Sequence, residues 1–153
     1  MNDSLKLSGR IRLQSYFEGK LLWDTDWISN GITDAGKAQM ALLAGDASAT
    51  PFTYLEVGTS STSFSASQTA LQAAITDSGL ARAAATVSRV TTTVTNDTLQ
   101  LTYTWTSSGT KTVEEIGIFN ASSAGTMLGR ALTGSKPVIS GALLVATYQV
   151  KFA

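Results

Sequence analysis

The chain of 153 residues contains neither cysteine nor histidine. Without cysteine there is no disulfide frame and no thiolate to act as metal ligand or nucleophile. Without histidine there is no imidazole ligand and no general base poised near neutral pH. Many hydrolytic mechanisms are excluded with them. Charge is scarce as well: Lys+Arg and Asp+Glu number 11 each, and charged residues make up only 14% of the chain, against roughly 25% in ordinary soluble domains. A zero net balance lacks the basic footprint of a nucleic-acid binder. A surface rich in threonine, serine and alanine and poor in charge is weakly defended against association, which predicts that much of it is covered in the working state. No apolar run approaches the roughly 18 residues of a membrane span, and the start MNDSLKLSGR lacks the basic-then-apolar order of a secretory signal. The expectation is a protein made and kept in a reducing cytoplasm, with no membrane, direct nucleic-acid or cofactor partner.

What is present is β-pattern. Residues 86–106, TVSRVTTTVTNDTLQLTYTWT, are rich in threonine, valine and aromatics and break once, at Asn96-Asp97, where turn-forming side chains predict a hairpin. In the return strand Leu99, Leu101, Tyr103 and Trp105 share one face and the threonines share the other. The outgoing strand, with Val90, Thr92 and Val94 against Val87, Arg89 and Thr91, alternates more weakly and suits an edge or a subunit contact. A third strand follows at 112–120. The N-terminal segment alternates Leu5, Leu7, Gly9, Ile11 and Leu13 against Lys6, Ser8, Arg10, Arg12 and Gln14, and a glycine turn at 18–20 returns it, giving a hairpin over about 5–28. Residues 33–44 read as the one short α-helix, with Thr33 as N-cap, Gly45 as terminator and a stripe of Ala35, Ala38, Ala41 and Leu42 to cover the sheet. Residues 60–68 form a Ser/Thr-rich arm, either laid on a neighbour or mobile, and 69–75 suit one or two helical turns. A short strand at 126–134, a turn at 134–137 and a strong strand at 141–153 complete the chain. The whole, 1–153, predicts a single mainly β domain: a jelly-roll or Greek-key β-sandwich of about eight or nine strands.

Features that suggest chemistry each meet a plainer reading. Asp24 and Asp26 share a strand face, but a hard cation wants six or more oxygens and few others lie nearby. Adjacent Glu114 and Glu115 point to opposite faces of a strand and do not form an acid/base pair. Arg82, Arg89 and Arg130 face an acidic partner or, on the favoured reading, solvent. Trp105 and Tyr103 belong with the core rather than with a sugar platform. No catalytic, metal or cofactor site is assigned.

Three separated stretches, 32–45, 54–71 and 113–132, carry a recognisable order of phrases: NGITDAGK at 30–37, VGTSST at 57–62, SQTAL at 67–71 and EIGIFN at 115–120. The set resembles a group of small virion proteins of tailed bacteriophages, described as head decoration (cement) proteins or as tail-fibre and collar components. The resemblance implies a non-enzymatic structural protein on the capsid surface, made in the bacterial host cytoplasm, that bridges major capsid protein subunits as a dimer or trimer. The alternative it implies is a tail-fibre or collar adhesin for a host-surface glycan. Expected partner contacts are Lys6, Arg10, Arg12, Trp23 and Trp27 on the hairpin, and Ser60, Phe64 and Gln68 on the arm.

Overall fold

The computed structural model describes residues 4–153. In chain order the elements are β1 (Leu7–Phe17), β2 (Lys20–Asp24), β3 (Ile28–Ser29), β4 (Gly31–Ile32), α1 (Asp34–Gly45), β5 (Tyr54–Gly58), β6 (Ala83–Ala84), β7 (Thr86–Val90), β8 (Thr98–Thr106), β9 (Lys111–Phe119), β10 (Met127–Val138) and β11 (Leu143–Phe152). They make two antiparallel sheets. Sheet I has the order β2-β1-β11-β8-β7, with β3 also on β1; sheet II has the order β4-β10-β9-β5-β6. The β9–β10 hairpin lies in sheet II, while β8 and β11, which flank it in sequence, pair in sheet I. The chain thus crosses, turns and returns beside the strand it left, a connection of Greek-key type within the expected β-sandwich. Three of the eleven strands are two-residue pairings, which leaves eight of substance.

The core lies between the sheets. Ile11, Leu13, Leu101, Leu144, Tyr148 and Val150 from sheet I meet Leu55, Val57, Ile116, Ile118 and Leu128 from sheet II, all fully buried. Each such side chain contributes about 1.5–3 kcal/mol on leaving water. Trp105 is buried too, its indole N–H donating to the Ala81 carbonyl at 2.8 Å, with the Tyr103 ring edge-on at a centroid distance of 4.9 Å. Burial pushes the Tyr148 hydroxyl up, against the opposing hydrogen bond from the Asn30 amide.

Local chemistry overrides several expectations. β7 and β8 form the expected antiparallel hairpin, but its connection is the loop 91–97 rather than a tight turn at Asn96-Asp97, and β7 stops at Val90. The Asp97 carboxylate accepts the backbone N–H groups of Thr92, Thr93 and Val94 at 2.8–2.9 Å and the hydroxyls of Thr92 and Thr98, so those residues cannot join the ladder. Residues 69–75 are not helical: the Thr59 N–H donates to Ala73 and the Ile75 N–H to Val57, stretching the segment along β5. β10 runs through the expected turn, a register shift between Leu132 and Lys136 absorbing Gly134 at φ 68°.

The helix begins as expected, with the Thr33 hydroxyl accepting the Gly36 N–H at 2.8 Å. Its covering face is not the expected one. Ala35, Ala38, Ala41 and Leu42 are all exposed, and the helix packs through Gly36, Met40 and Leu43. Thr33 also donates to the Met127 carbonyl, and a Cβ at Gly36 would lie 2.5 Å from the Leu128 carbonyl oxygen. Close backbone approach, rather than the alanine stripe, sets the rotation. Gly45 is the last helical residue, and closure falls to Asp46, whose N–H donates to Leu42 at 2.9 Å.

Candidate functional site

The two outer faces of the sandwich are chemically opposite. That of sheet II is sealed by the chain itself. β9 and β10 turn Glu115 and Arg130 to this side, where both are fully buried and Arg130 Nε donates to Glu115 Oε2 at 2.6 Å. The carboxylate also accepts the N–H groups of Gln72 and Ala73 at 3.1 and 2.8 Å. The guanidinium donates onward to the Thr62 carbonyl at 2.8 Å and the Gln68 side-chain oxygen at 3.4 Å. One buried ion pair therefore pins both halves of the segment 60–75. Beside it Arg82 donates to Glu56 at 2.9 Å and to the Ala121 and Ala124 carbonyls, and stacks 3.7 Å from the Phe119 ring. Leu71, Phe119 and Met127 make a small second core beneath the strap.

Arg130, expected in solvent, is thus an interior group, because the strap that buries it carries carbonyl acceptors where a strand pattern implies only water, and Arg82, expected there too, is largely buried against Glu56, the Phe119 ring and the carbonyls of Ala121 and Ala124. The arm lies on its own sheet. Ser60 offers its carbonyl toward Arg130 at 3.5 Å, Gln68 accepts from the same guanidinium, and the Phe64 ring occupies the space a side chain at position 31 would need.

Sheet I presents its outer face to solvent. Register places Ser29, Arg10, Gln149, Gln100 and Ser88 in one rung across β3, β1, β11, β8 and β7. Arg10 Nε donates to Gln149 Oε1 and Gln149 Nε2 to Gln100 Oε1, each at 2.7 Å. The Arg10 guanidinium sits 4.2 Å from the centroid of the half-exposed Trp27 ring. Next to this rung is a groove of about 580 Å³ lined by Ser8, Arg10, Thr92, Thr98, Gln149 and Lys151 among others. Of the remaining hairpin candidates, Arg12 is tied to Asp24 by paired hydrogen bonds of 2.5 and 2.9 Å, and Trp23 donates its indole N–H to the Pro137 carbonyl at 2.7 Å. Lys6 is backbone-paired with Ala153 at the end of β1. The Arg12 hydrogen bond, assisted by the Asp26 N–H and Gln14, lowers the Asp24 carboxyl to about 2. Asp24 and Asp26 both face the Arg12 guanidinium, at 2.5 and 3.9 Å, and among the described residues no group of three carboxylates, cysteines or histidines is placed to hold a metal ion.

Apart from Trp27 and Val87, the exposed large apolar side chains collect at the two ends of the sandwich. Leu5, Leu42 and Val94 lie at the end where β1 starts and β11 finishes, and two shallow apolar grooves there share Met40, Leu43 and Phe152. Leu21, Leu22, Ile139 and Leu143 lie at the opposite end, where β1 finishes and β11 starts. Sequence reasoning missed Gln149 and Lys151, although the polar phase of β11 was available. It also missed Leu21 and Leu22, whose exposure follows from β2 being an edge strand.

Comparison with protein-family models, with curated proteins and with solved structures gave no match to this chain. No helix among the described residues is long and apolar enough to cross a membrane.

Proposed function

We propose that the chain is a non-enzymatic structural protein of a tailed-bacteriophage virion, a decoration (cement) protein that sits on the outside of the head and bridges neighbouring major capsid protein subunits. The observation that carries this reading is the distribution of exposed apolar side chains at two opposite ends of a rigid body. A bridge needs two contact sites held at a constant separation. The eleven residues of β1 that span the distance correspond to roughly 35 Å of strand. Rigidity comes from the buried Glu115–Arg130 pair and the strap it fixes, and the phage-like phrases at 57–62, 67–71 and 115–120 are the residues that build that closure. Many symmetric copies, each burying a modest apolar area, sum to tight binding through multivalency. Self-association as a dimer or trimer belongs to the same reading, as does assembly onto the virion after synthesis in the bacterial host cytoplasm.

The reading is tested at the ends. Leu21→Lys with Leu22→Lys, or Leu5→Lys with Leu42→Lys, removes capsid association while leaving the folded spectrum unchanged, because all four side chains are exposed. Retention of full binding by both double variants rejects the two-ended bridge. A second reading, a tail-fibre or collar adhesin for a host-surface glycan, is favoured by the polar groove beside Trp27 and predicts attachment of the free protein to host cells.

A further inference from the structure

The groove on sheet I has the properties of a ligand site in its own right. Two cations line it, Arg10 and Lys151, and no carboxylate does. Among the described residues the ion pairs engage Arg12, Lys37, Arg82, Lys111 and Arg130, and both groove cations, Arg10 and Lys151, are among the six lysines and arginines outside them. Asp97 adjoins the lining through Thr92 and Thr98, and its carboxylate already accepts from Thr92, Thr93, Val94 and Thr98. In a protein of zero net charge this is a local positive site.

Arg10 is also held in place. Its Nε is spent on Gln149, which is itself held by Gln100, and its plane rests on Trp27. The two terminal nitrogens make no hydrogen bond to any described residue and remain a pair of donors, the arrangement that takes a carboxylate through two parallel N–H bonds. Fixing the fork before binding reduces the entropy lost when a ligand arrives. The rest of the lining is Ser8, Ser29, Thr91, Thr92, Thr98 and the Gln149 amide, groups that donate and accept alike. Such a lining matches a hydroxyl-rich ligand. It offers no apolar pocket for a peptide anchor, no aromatic ring for a base to stack on, and too few cations to track a phosphate chain. The volume falls in the range of small-ligand sites.

We propose that this groove binds a carboxylate-bearing saccharide of the uronic-acid class, with Arg10 taking the carboxylate, Lys151 supplying the second positive charge, and the serine, threonine and glutamine side chains meeting the sugar hydroxyls. The inference rests on the groove alone and stands or falls separately from capsid binding.

The test is calorimetric titration of the purified full chain with a uronic-acid tetramer, a neutral glucose tetramer, sulfated dextran and a short single-stranded DNA. The expected result is saturable binding of the uronic tetramer that weakens with salt, and none of the neutral one. Arg10→Gln lowers the affinity at least about tenfold, the equivalent of one charge-assisted bond, Lys151→Gln lowers it severalfold, and Lys37→Gln on the helix leaves it unchanged. Equal binding of the neutral tetramer, preference for DNA or sulfated dextran, unchanged affinity in both groove variants, or no binding at millimolar uronic tetramer overturns the assignment.

Discussion

Removing one partner of the buried Glu115–Arg130 pair is the perturbation with the largest expected consequence. In Arg130→Met the 2.6 Å bond to Glu115 and the 2.8 Å bond to the Thr62 carbonyl are lost, and a carboxylate remains fully buried without a cation. Leaving one charge uncompensated in the interior costs about 3–5 kcal/mol, which for a domain of this size lowers the midpoint of thermal unfolding by about 6–20 °C. Glu115→Gln keeps the shape but strands the guanidinium, and falls in the same range. The double variant Glu115→Gln/Arg130→Met removes both charges together. Since an ion pair replaced as a unit is often neutral, it recovers at least about 2 kcal/mol relative to the sum of the singles. The assay is urea unfolding at neutral pH on all four proteins, with amide exchange read on residues 60–75. Exchange in the strap accelerates in the single variants ahead of that in sheet I, because the Gln72 and Ala73 N–H groups and the Thr62 carbonyl are anchored only through this pair. A loss below about 1 kcal/mol in either single variant, or strict additivity in the double, refutes the view that the pair fixes the strap.

Further outcomes follow from the same contacts. Asp24 is held near 2 by Arg12, and Asp97 is lowered because hydrogen bonds from Val94, Thr92, Thr98 and Thr93 outweigh its desolvation. Both folded values lie below the unfolded one near 4, so the unfolded state binds more protons in this window. The stability they supply is complete above about pH 4 and declines as pH falls toward 2; Asp24→Asn flattens that decline in urea midpoints measured across the range, and an unchanged slope contradicts the assignment. Gly36→Ala forces a Cβ to 2.5 Å from the Leu128 carbonyl oxygen and costs about 1–3 kcal/mol despite alanine's better helix propensity, whereas a stabilised protein shows that helix and β10 part without penalty. Asp97→Ala frees the 92–94 amides and raises their hydrogen-exchange rates by far more than those of β8, with equal protection counting against the carboxylate as the loop's organiser.

The sandwich was legible wherever one strand face is buried and the other wet. β1, β8 and β11 alternate cleanly, and the apolar phase of each, Ile11 and Leu13, Leu101 and Trp105, Tyr148 and Val150, is the one that packs. What pattern did not reveal depends on contacts between distant segments. Glu115 and Arg130 read as ordinary polar positions on strands, and only the strap 60–75, crossing the outer face of sheet II, turns them into an interior pair. The helix face was misread because the alanine stripe is more apolar than the true contact, in which a glycine against backbone decides the fit. Of the candidate contacts, Arg10 and Trp27 come together on an open face, while Ser60, Phe64 and Gln68 are engaged within the chain. The apolar ends escaped notice because Leu21, Leu22 and Leu143 carry a core-like pattern at positions where the sheets have run out of partners.

The most direct measurement is co-sedimentation of the purified chain with phage heads that lack it, followed to saturation. The account predicts saturable binding at a fixed ratio set by the symmetry axes of the capsid, and heads that resist heat or salt better once loaded. Failure to bind heads, together with attachment to tails or to host cells, contradicts the decoration reading and transfers the molecule to the adhesin class.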